Sequence, residues 1–305
     1  MRYVFGPVAS RRLGRSLGVD LVPLKTCSYD CLYCQAGRTT CKTAIPAVYH
    51  PVEDVLRELE ERLSTHRPDV VTFSGSGEPT LHAEIHRVIS GIRSWTDTRV
   101  AVLTNGSLLA LPEVRERLLE ADLVMPTLCT VNEETFRRIH RPASGLRLDS
   151  IMEGMARFRE AFRGRMDLEI VLLRGINDSH EEVSGLREAV DRIRPDRIQL
   201  NTVVRPPSEP EAVALDRERL EEIRGLMGER SEVIAFAPLD SKGADSAEVA
   251  ETVCDMAQRR PVRARDIADA LGLDLPEAEK LVHALMAEGR LHVRTYGGQP
   301  YYVAA

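Results

Sequence analysis

Hydrophobic and polar positions along the first 240 residues predict strands and helices in turn. Seven short apolar runs, most of them rich in β-branched residues, have the length and composition of buried strands. The predicted strands are Ser16–Val22, Val70–Ser74, Val100–Leu103, Leu123–Pro126, Leu168–Leu173, Arg197–Thr202 and Val233–Ala237. The segments between them carry apolar residues at helical spacing. The predicted helices are Val52–Ser64, Ala83–Arg93, Glu113–Glu120, Asp149–Phe162, His180–Ile193 and Asp216–Leu226.

This alternation is typical of βα units around a parallel sheet. Roughly six repeats are present, whereas a closed (β/α)8 barrel needs eight. We therefore predict the α/β class and, for residues 1–240, a partial (β/α)6 barrel. In such folds the active site lies on the loops at the carboxyl ends of the strands, so the residues that follow each predicted strand are the first candidates for chemistry.

The pattern changes after the polar, small-residue stretch Asp240–Ala247, which is typical of a linker. Three helical segments and two short strands are predicted beyond it. They are the helices Ala247–Gln258, Ala264–Leu271 and Pro276–Ala287 and the strands Leu291–Thr295 and Pro300–Val303. A helix, a helix-turn-helix and a β-hairpin in this order make a winged helix. We predict a small C-terminal winged helix-turn-helix domain over residues 247–305, used for substrate capture.

Composition and charge narrow the functional classes. The 305 residues are 29% charged with a formal net charge of −6, so the surface as a whole is not that of a nucleic-acid-binding protein. Up to residue 42, seven arginines and lysines are opposed only by Asp20 and Asp30, a bias that suits an anionic ligand or a solvated basic face. The C-terminal unit is charge-balanced, so peptide binding and a purely structural role are as open for it as RNA contact. No apolar run approaches the ~20 residues that span a bilayer and no signal sequence is evident, so we expect a cytoplasmic protein without a membrane partner.

Three of the six cysteines are crowded into a C-x3-C-x2-C run directly after the first predicted strand. Cys27, Cys31 and Cys34 can converge on one metal group, because thiolates are ligands of iron–sulfur clusters and of zinc. Three ligands on a [4Fe–4S] cluster leave one iron open. A three-cysteine zinc site with a distant fourth ligand, or free cysteines in a core, are the alternatives from spacing alone. The remaining cysteines are scattered without metal-ligand spacing.

The run Cys27-Ser-Tyr-Asp-Cys31-Leu-Tyr33-Cys34 resembles the signature of the radical S-adenosylmethionine (SAM) superfamily, in which an aromatic residue usually precedes the last cysteine. The resemblance implies a [4Fe–4S] cluster on Cys27, Cys31 and Cys34 whose open iron chelates the amino and carboxylate groups of SAM. It also implies reductive cleavage of SAM to a 5′-deoxyadenosyl radical that abstracts a substrate hydrogen. A reductant such as flavodoxin or ferredoxin would supply the electron.

Two later motifs extend the resemblance. Ser74-Gly-Ser-Gly-Glu-Pro79 is similar to the family's Gly-Gly-Glu-Pro motif, with a serine replacing one glycine, and Leu103-Thr-Asn-Gly106 ends the next strand. Glycines let the backbone approach a ligand, and a carboxylate pairs with an ammonium group; a plain glycine-rich loop and an Asn-Gly turn are the alternatives. The residues that the resemblance assigns to SAM binding are Tyr33, Gly75, Ser76, Gly77, Glu78, Pro79, Thr104, Asn105 and Arg138.

The resemblance also leads to expectations for two single residues, Arg138 and Cys129. Arg138 belongs to a basic segment with Arg137 and Arg141 that resembles the family's segment near the SAM carboxylate. Cys129 follows the fourth predicted strand, where many relatives have an aspartate. It is either a small buried apolar residue, as most free cysteines are, or a catalytic residue that faces the radical cavity.

The segment Phe5–Asp20, continuing through Pro23–Cys27, resembles a bacterial and archaeal group classed beside the tRNA wyosine-type radical SAM enzymes. The archaeal wyosine enzymes place further cysteines upstream for a second cluster, whereas none precedes Cys27 here. We therefore expect a radical SAM enzyme that abstracts hydrogen from a substrate other than the wyosine precursor, with RNA modification as the first hypothesis. Modification of a peptide or protein is the second, and a non-enzymatic redox regulator that binds the cluster and SAM is the third.

Overall fold

A computed structural model describes residues 3–10, 12–235 and 249–305 of the protein. Up to residue 235 its strands are β1 (Val4–Ser10), β2 (Gly14–Val19), β3 (Thr26–Cys27), β4 (Cys41–Lys42), β5 (Val70–Phe73), β6 (Arg99–Thr104), β7 (Leu123–Pro126), β8 (Arg165–Leu172), β9 (Arg197–Thr202) and β10 (Ser231–Val233). Eight of them form one sheet in the order β1-β2-β5-β6-β7-β8-β9-β10. Every neighbouring pair from β2 to β10 is parallel, so the predicted α/β fold is confirmed.

Helices connect the parallel strands, and all but one of them match the amphipathic segments that the periodicity predicts. They are α1 (Val52–Thr65), α2 (Ile85–Trp95), α3 (Pro112–Arg117), α4 (Glu133–His140), α5 (Leu148–Ala161), α6 (His180–Ile193) and α7 (Arg217–Met227). Their apolar faces and the strands form one core; Phe73, Phe158 and Ile170, for example, are fully buried. Because β5 is buried on both faces, its sequence Val-Val-Thr-Phe is nearly continuous in apolar residues and not alternating.

Two of the longer elements, and the two-residue strands β3 and β4, were not predicted from the sequence. Strand β1 pairs antiparallel with β2 and contains an irregularity in register between Phe5 and Val8, where a Gly-Pro pair interrupts the apolar pattern. Helix α4 is short and mostly polar, so it gives little periodic signal; the side chain of Asn132 caps it by accepting from the N–H groups of Glu134 and Thr135. Several predicted bounds shift by a few residues, and α3, for example, ends at Arg117.

The C-terminal residues form three helices and a hairpin with a separate core. They are α8 (Val249–Arg259), α9 (Ala264–Leu271), α10 (Leu275–Ala287), β11 (Leu291–Tyr296) and β12 (Gln299–Ala304). Val262, between the first two helices, pairs with Tyr302 of the hairpin. The predicted linker Asp240–Ala247 and the last two residues of the predicted strand Val233–Ala237 lie outside the described residues. No described helix is long and apolar enough to cross a membrane.

The C-terminal unit packs against the edge of the barrel, where α8 and α9 contact β1. The Arg259 guanidinium lies 4.3 Å from the centre of the Phe5 ring, and that ring fills the space over Gly18, where a Cβ would be only 2.1 Å away. Further along the edge, Tyr301 Oη donates a hydrogen bond of 2.9 Å to the carbonyl oxygen of Val204. The two units therefore share an interface that runs from β1 to the loop after β9.

Candidate active site

The three clustered cysteines lie on the loop beyond the carboxyl end of β2. Cys27 ends β3, and Cys31 and Cys34 follow on the same loop. Ser208 Oγ donates to the carbonyl oxygen of Cys31 at 2.8 Å, and the N–H of Cys34 donates to the same oxygen at 3.1 Å. His140 Nδ1 lies 3.2 Å from Cys31 Sγ. Contacts from α4 and from the loop after β9 thus hold the cysteine loop in place.

Burial dominates the electrostatics of these thiols. It raises the pKa of Cys27 to about 12, with the Glu78 carboxylate as the next contribution. It also raises the pKa of Cys31 far above the ordinary value, and the neighbouring Cys27 and Cys34 raise it further. The pKa of Cys34 is likewise raised by burial. Three thiols close enough to perturb one another in a low-dielectric site are stable as thiolates only beside a compensating positive charge.

A [4Fe–4S] cluster fits this donor set. Its iron ions supply the positive charge that thiolates need, and each thiolate binds a different iron, so the ligands do not have to meet at one ion. Within residues 3–10, 12–235 and 249–305, no group of three His, Cys, Asp or Glu side chains surrounds a single metal position. Cys27, Cys31 and Cys34 are the residues that would hold the cluster, and the barrel places them beside the other predicted motifs.

The glycine-rich motif follows β5 and packs directly against the cysteine loop. A Cβ on Gly77 would lie 1.9 Å from the carbonyl oxygen of Thr26, so no other residue fits there without moving the backbone next to Cys27. Gly75 has a φ of +146°, and a Cβ there would meet the Asp20 carboxyl group at 2.7 Å. Glycine at these two positions therefore permits the close approach of two loops and the unusual backbone that the motif requires.

Glu78 is buried, and its carboxylate is held by the protein itself. Oε1 accepts from the Thr80 N–H at 3.0 Å and from the hydroxyls of Thr80 and Thr104, each at 2.6 Å. Oε2 accepts from the N–H of Asn105 at 2.7 Å. Burial raises the pKa of Glu78 even though these hydrogen bonds oppose the shift. The side chain consequently joins the loop after β5 to the loop after β6, and Pro79 begins a 3₁₀ turn beside it.

Asn105 completes the junction with the cysteines. Its Nδ2 donates to Ser28 Oγ at 2.8 Å and contacts Cys27 Sγ at 3.5 Å, while its own backbone N–H donates to Glu78. Three motifs that are separated in sequence by up to 78 residues thus meet at one residue, Asn105, through its side chain and its backbone N–H. Thr104 belongs to the same junction through its hydrogen bond with Glu78.

Tyr33 and Cys129 are neighbours, with Tyr33 Oη 3.6 Å from Cys129 Sγ. Tyr33 lines a cavity beside Cys34. Cys129, in contrast, is fully buried in a small apolar cluster that includes Leu32 and Val171. Burial raises the pKa of the Cys129 thiol to about 12. This environment is that of a small apolar residue, and a catalytic role for Cys129 stays a prediction.

The basic segment on α4 points to the surface. The Arg138 side chain is 53% exposed and lies 3.7 Å from a Glu211 carboxylate oxygen. Arg137 pairs with Glu133 on the same helix at 2.7 Å. Neither arginine lines the cavity beside the cysteines, so SAM binding by Arg138 also stays a prediction.

Sequence reasoning missed a polar network on the inner wall of the barrel. Glu169, on β8, accepts from Arg12 Nη1 at 2.9 Å and from Asn201 Nδ2 at 3.0 Å through the same carboxylate oxygen. Its other oxygen accepts from Thr127 Oγ1 at 3.3 Å. In the sequence, only the acidic residue inside the apolar run Leu168–Leu173 indicates such a network. Arg12, however, comes from the turn between β1 and β2, and no sequence pattern links it to β8.

A cavity of about 350 Å³ opens in front of these groups. The cysteine loop contributes Cys34, the glycine-rich motif contributes Gly75, and the barrel wall contributes Glu169. The C-terminal unit closes another side with Met256, Arg259 and Arg260. Parts of the chain more than 200 residues apart in the sequence therefore form the walls of one chamber, and the volume is in the range of small-molecule sites.

A known family matches the part of the chain that contains this site. The model of the radical SAM superfamily matches residues 21–186. That range is more than half of the 305 residues and includes the cysteine run, the glycine-rich motif and the loop after β6.

Several curated proteins are similar to the chain. It is 38% identical over 300 residues to a protein named GTPase Obg of Brachyspira hyodysenteriae, a match that covers 97% of this chain and 44% of that protein. It is 33% identical to UPF0026 protein MJ1312 of Methanocaldococcus jannaschii, covering 99% of this chain and 96% of that protein. The chain thus spans less than half of the first relative and nearly all of the second. A dual-specificity RNA methyltransferase RlmN of Nitratidesulfovibrio vulgaris is 27% identical, covering 60% of this chain and 51% of that protein.

Solved structures share the fold at low sequence identity. TYW1 with a lysine–pyruvate adduct has a TM-score of 0.54 and 17% identity, covering 80% of this chain and 79% of that one. Streptococcus suis SuiB bound to its precursor peptide SuiA has a TM-score of 0.55 and 15% identity, covering 71% of this chain and 48% of that one. At these identities the comparison concerns the fold.

Proposed function

Because the chain belongs to the radical SAM superfamily of enzymes, which bind a [4Fe–4S] cluster and SAM, we propose that it starts hydrogen abstraction on RNA. Cys27, Cys31 and Cys34 hold the cluster in this proposal. The observation that supports this cluster and SAM site is the position of Asn105. Its side chain contacts Cys27 Sγ, and its backbone N–H donates to the Glu78 carboxylate. When bound, the cluster and SAM supply a 5′-deoxyadenosyl radical by one-electron reduction.

The residues of the chain bind and orient SAM and exclude water. Gly75 and Gly77 let the backbone of the glycine-rich motif approach the amino end of SAM, and we assign Ser76 and Pro79 of the same motif to SAM binding as well. Glu78 acts as a positioning residue, because four hydrogen bonds from the protein already engage its carboxylate. Tyr33 forms part of the chamber wall beside Cys34. The C-terminal helices close the chamber, which protects a radical from solvent.

RNA is the substrate class favoured by two observations together. The chain resembles an RNA methyltransferase in sequence, and four arginines among the described residues line the chamber. Arginine is the residue best suited to nucleic-acid phosphates. Residues 1–240 are the catalytic domain in this proposal, and residues 247–305 are a winged-helix domain that contributes to substrate binding. Radical SAM enzymes need an external reductant, and we assign that role to a flavodoxin or ferredoxin in the cytoplasm.

The test is a comparison of modified nucleosides. Total RNA from cells that express the wild-type chain and from cells that express Cys31→Ala is digested and analysed by mass spectrometry. We expect one modified nucleoside to be present with the wild type and absent with the variant. Identical nucleosides in both strains, together with a mass difference on a peptide or protein, would reject RNA as the substrate in favour of a polypeptide.

A further inference from the structure

His140, the last residue of α4, is buried against the cysteine loop. Two backbone hydrogen bonds fix its position along that loop. The N–H of Asp30 donates to the carbonyl oxygen of His140 at 2.8 Å, and the N–H of Leu32 donates to that of Ile139 at 2.9 Å. These donors lie on either side of Cys31, so the end of α4 is held opposite this one cysteine. The same bonds satisfy carbonyl groups that have no partner within the helix.

Three aromatic rings pack around the imidazole of His140 and fix its direction. The ring centres of Tyr29 and Phe136 lie 4.8 Å and 5.4 Å from that of the imidazole. Tyr33 adds an edge contact at 5.9 Å, with an angle of 81° between the two rings. In this orientation the Nδ1 atom of His140 lies 3.2 Å from Cys31 Sγ. The contact between nitrogen and sulfur is therefore held by both the backbone and the ring packing.

The direction of this hydrogen bond follows from the chemistry of a metal-bound cysteine. A cysteine binds iron as a thiolate, which has no proton to donate. Beside a thiolate on Cys31, the hydrogen therefore lies on Nδ1 of His140, whichever state the other ring nitrogen has. An N–H group directed at sulfur stabilises the more negative, reduced state of a cluster. Hydrogen bonds to the sulfurs are among the factors that set the potential of an iron–sulfur cluster.

The other two cysteines have contacts that are harder to change alone. Cys34 receives hydrogen bonds from two backbone N–H groups that follow it in the chain, and these oppose the rise of its pKa. Cys27 Sγ is contacted by the side chain of Asn105, whose backbone also donates to Glu78 in the proposed SAM site. The contact of His140 comes from a side chain that the proposed function does not assign to SAM, so a substitution there changes one sulfur contact.

We propose that His140 is a positioning residue that donates a hydrogen bond from Nδ1 to the Cys31 sulfur and thereby raises the reduction potential of the cluster. This role rests on the proposed function for the three cluster ligands and is independent of the substrate class. The cluster gains one electron from the external flavodoxin or ferredoxin, and the imidazole keeps its proton. A higher potential favours this electron transfer, which precedes the cleavage of SAM.

The test is an anaerobic redox titration of the full-length reconstituted chain, followed by the electron paramagnetic resonance signal of the reduced cluster. His140→Phe and His140→Leu fill the space between the aromatic rings without a donor, whereas His140→Asn places an amide N–H at the position of Nδ1. We expect both apolar variants to shift the reduction equilibrium about tenfold toward the oxidised cluster, which is ~60 mV for one electron. His140→Asn should recover most of this shift. His283→Leu, on the exposed side of α10, is the matched control and should keep the wild-type potential.

Iron content and the SAM dissociation constant are measured for every variant and should keep their wild-type values, because no substitution removes a ligand. Equal potentials for the wild type and both apolar variants would reject the hydrogen bond. An equal fall in all three His140 variants would assign the effect to ring packing, and loss of iron from both apolar variants would assign a purely structural role; either result overturns the proposal. A wild type without about four iron per chain would reject the proposed function and this role with it, whereas full iron with unchanged potentials rejects the role of His140 alone.

Discussion

The cysteine end of the barrel and the C-terminal unit meet at one chamber but contribute to it in different ways. The barrel supplies contiguous motifs, such as Cys27–Cys34 and Gly75–Pro79, whose residues are neighbours in sequence and in space. The C-terminal unit supplies single side chains that reach the chamber only because α8 packs on β1. The first kind of site is visible in a sequence, whereas the second depends on how the units dock.

The largest effect is expected at the cysteines. Replacing Cys27, Cys31 or Cys34 by alanine should abolish the cluster, since each removes one of three iron ligands, whereas the wild type should hold about four iron and four sulfide per chain. Iron and sulfide assays after anaerobic reconstitution measure this. Cys41→Ala and Cys254→Ala are the matched controls and should retain full content. Loss of about half of the iron in either control would instead indicate an auxiliary cluster.

The next effect concerns the link between the two regions. Asp20 pairs with Arg259 and accepts from the N–H and Oγ of Ser76, so it joins α8 to the glycine-rich motif. Arg259→Met should leave the Asp20 carboxylate buried without that charge and lower the free energy of unfolding by ~3–5 kcal/mol. The double variant Asp20→Asn/Arg259→Met should recover part of this loss in denaturant titrations. Equal stability of the single variant and the wild type would mean that the two units are not coupled through this pair.

Glu78 comes third. Glu78→Ala leaves several buried donors without an acceptor, at ~1–3 kcal/mol for each, and lets the loop of Asn105 shift away from Cys27. We expect the SAM dissociation constant to rise by roughly ten- to a hundredfold. Anaerobic SAM titration measures it, with Glu113→Ala on the exposed side of α3 as control. An unchanged affinity would show that the glycine-rich motif does not bind SAM.

The smallest effect is expected on the hairpin of the C-terminal unit. Charge reversal at Arg290 and Arg294 removes two positive charges from β11 and the residue before it. If this face binds RNA, binding should weaken and the slope of log affinity against log salt should fall by ~1 for each phosphate that is no longer neutralised. Filter binding of total RNA at several salt concentrations tests this. An unchanged slope would restrict RNA binding to the chamber.

Local patterns predicted most of the fold. Strands such as Arg197–Thr202 and helices such as His180–Ile193 have the predicted bounds, because each is an uninterrupted apolar or amphipathic run. Strand β1 escaped prediction because Gly6 and Pro7 interrupt its pattern and because it lies at the edge of the sheet. The short polar helix α4 was not predicted, because a cap and packing stabilise it and neither produces a periodic apolar pattern.

The site divides in the same way. The placement of Cys27, Glu78 and Asn105 follows from their position after successive strands of a parallel sheet, whose carboxyl ends share one edge. The pairing of Arg12 with Glu169 and of Arg259 with Asp20 joins residues over 150 positions apart and has no local signal. The C-terminal sequence is charge-balanced, so it did not predict that folding brings Arg259 and Arg260 to the chamber.

One measurement tests the central claim that the cysteine end of the barrel cleaves SAM. The full-length chain, reconstituted anaerobically and reduced with dithionite, is incubated with SAM and analysed for 5′-deoxyadenosine and methionine. We predict equal amounts of both products even without substrate, and none from the Cys31→Ala variant. A wild-type sample with about four iron per chain that binds SAM but forms no 5′-deoxyadenosine would contradict the account.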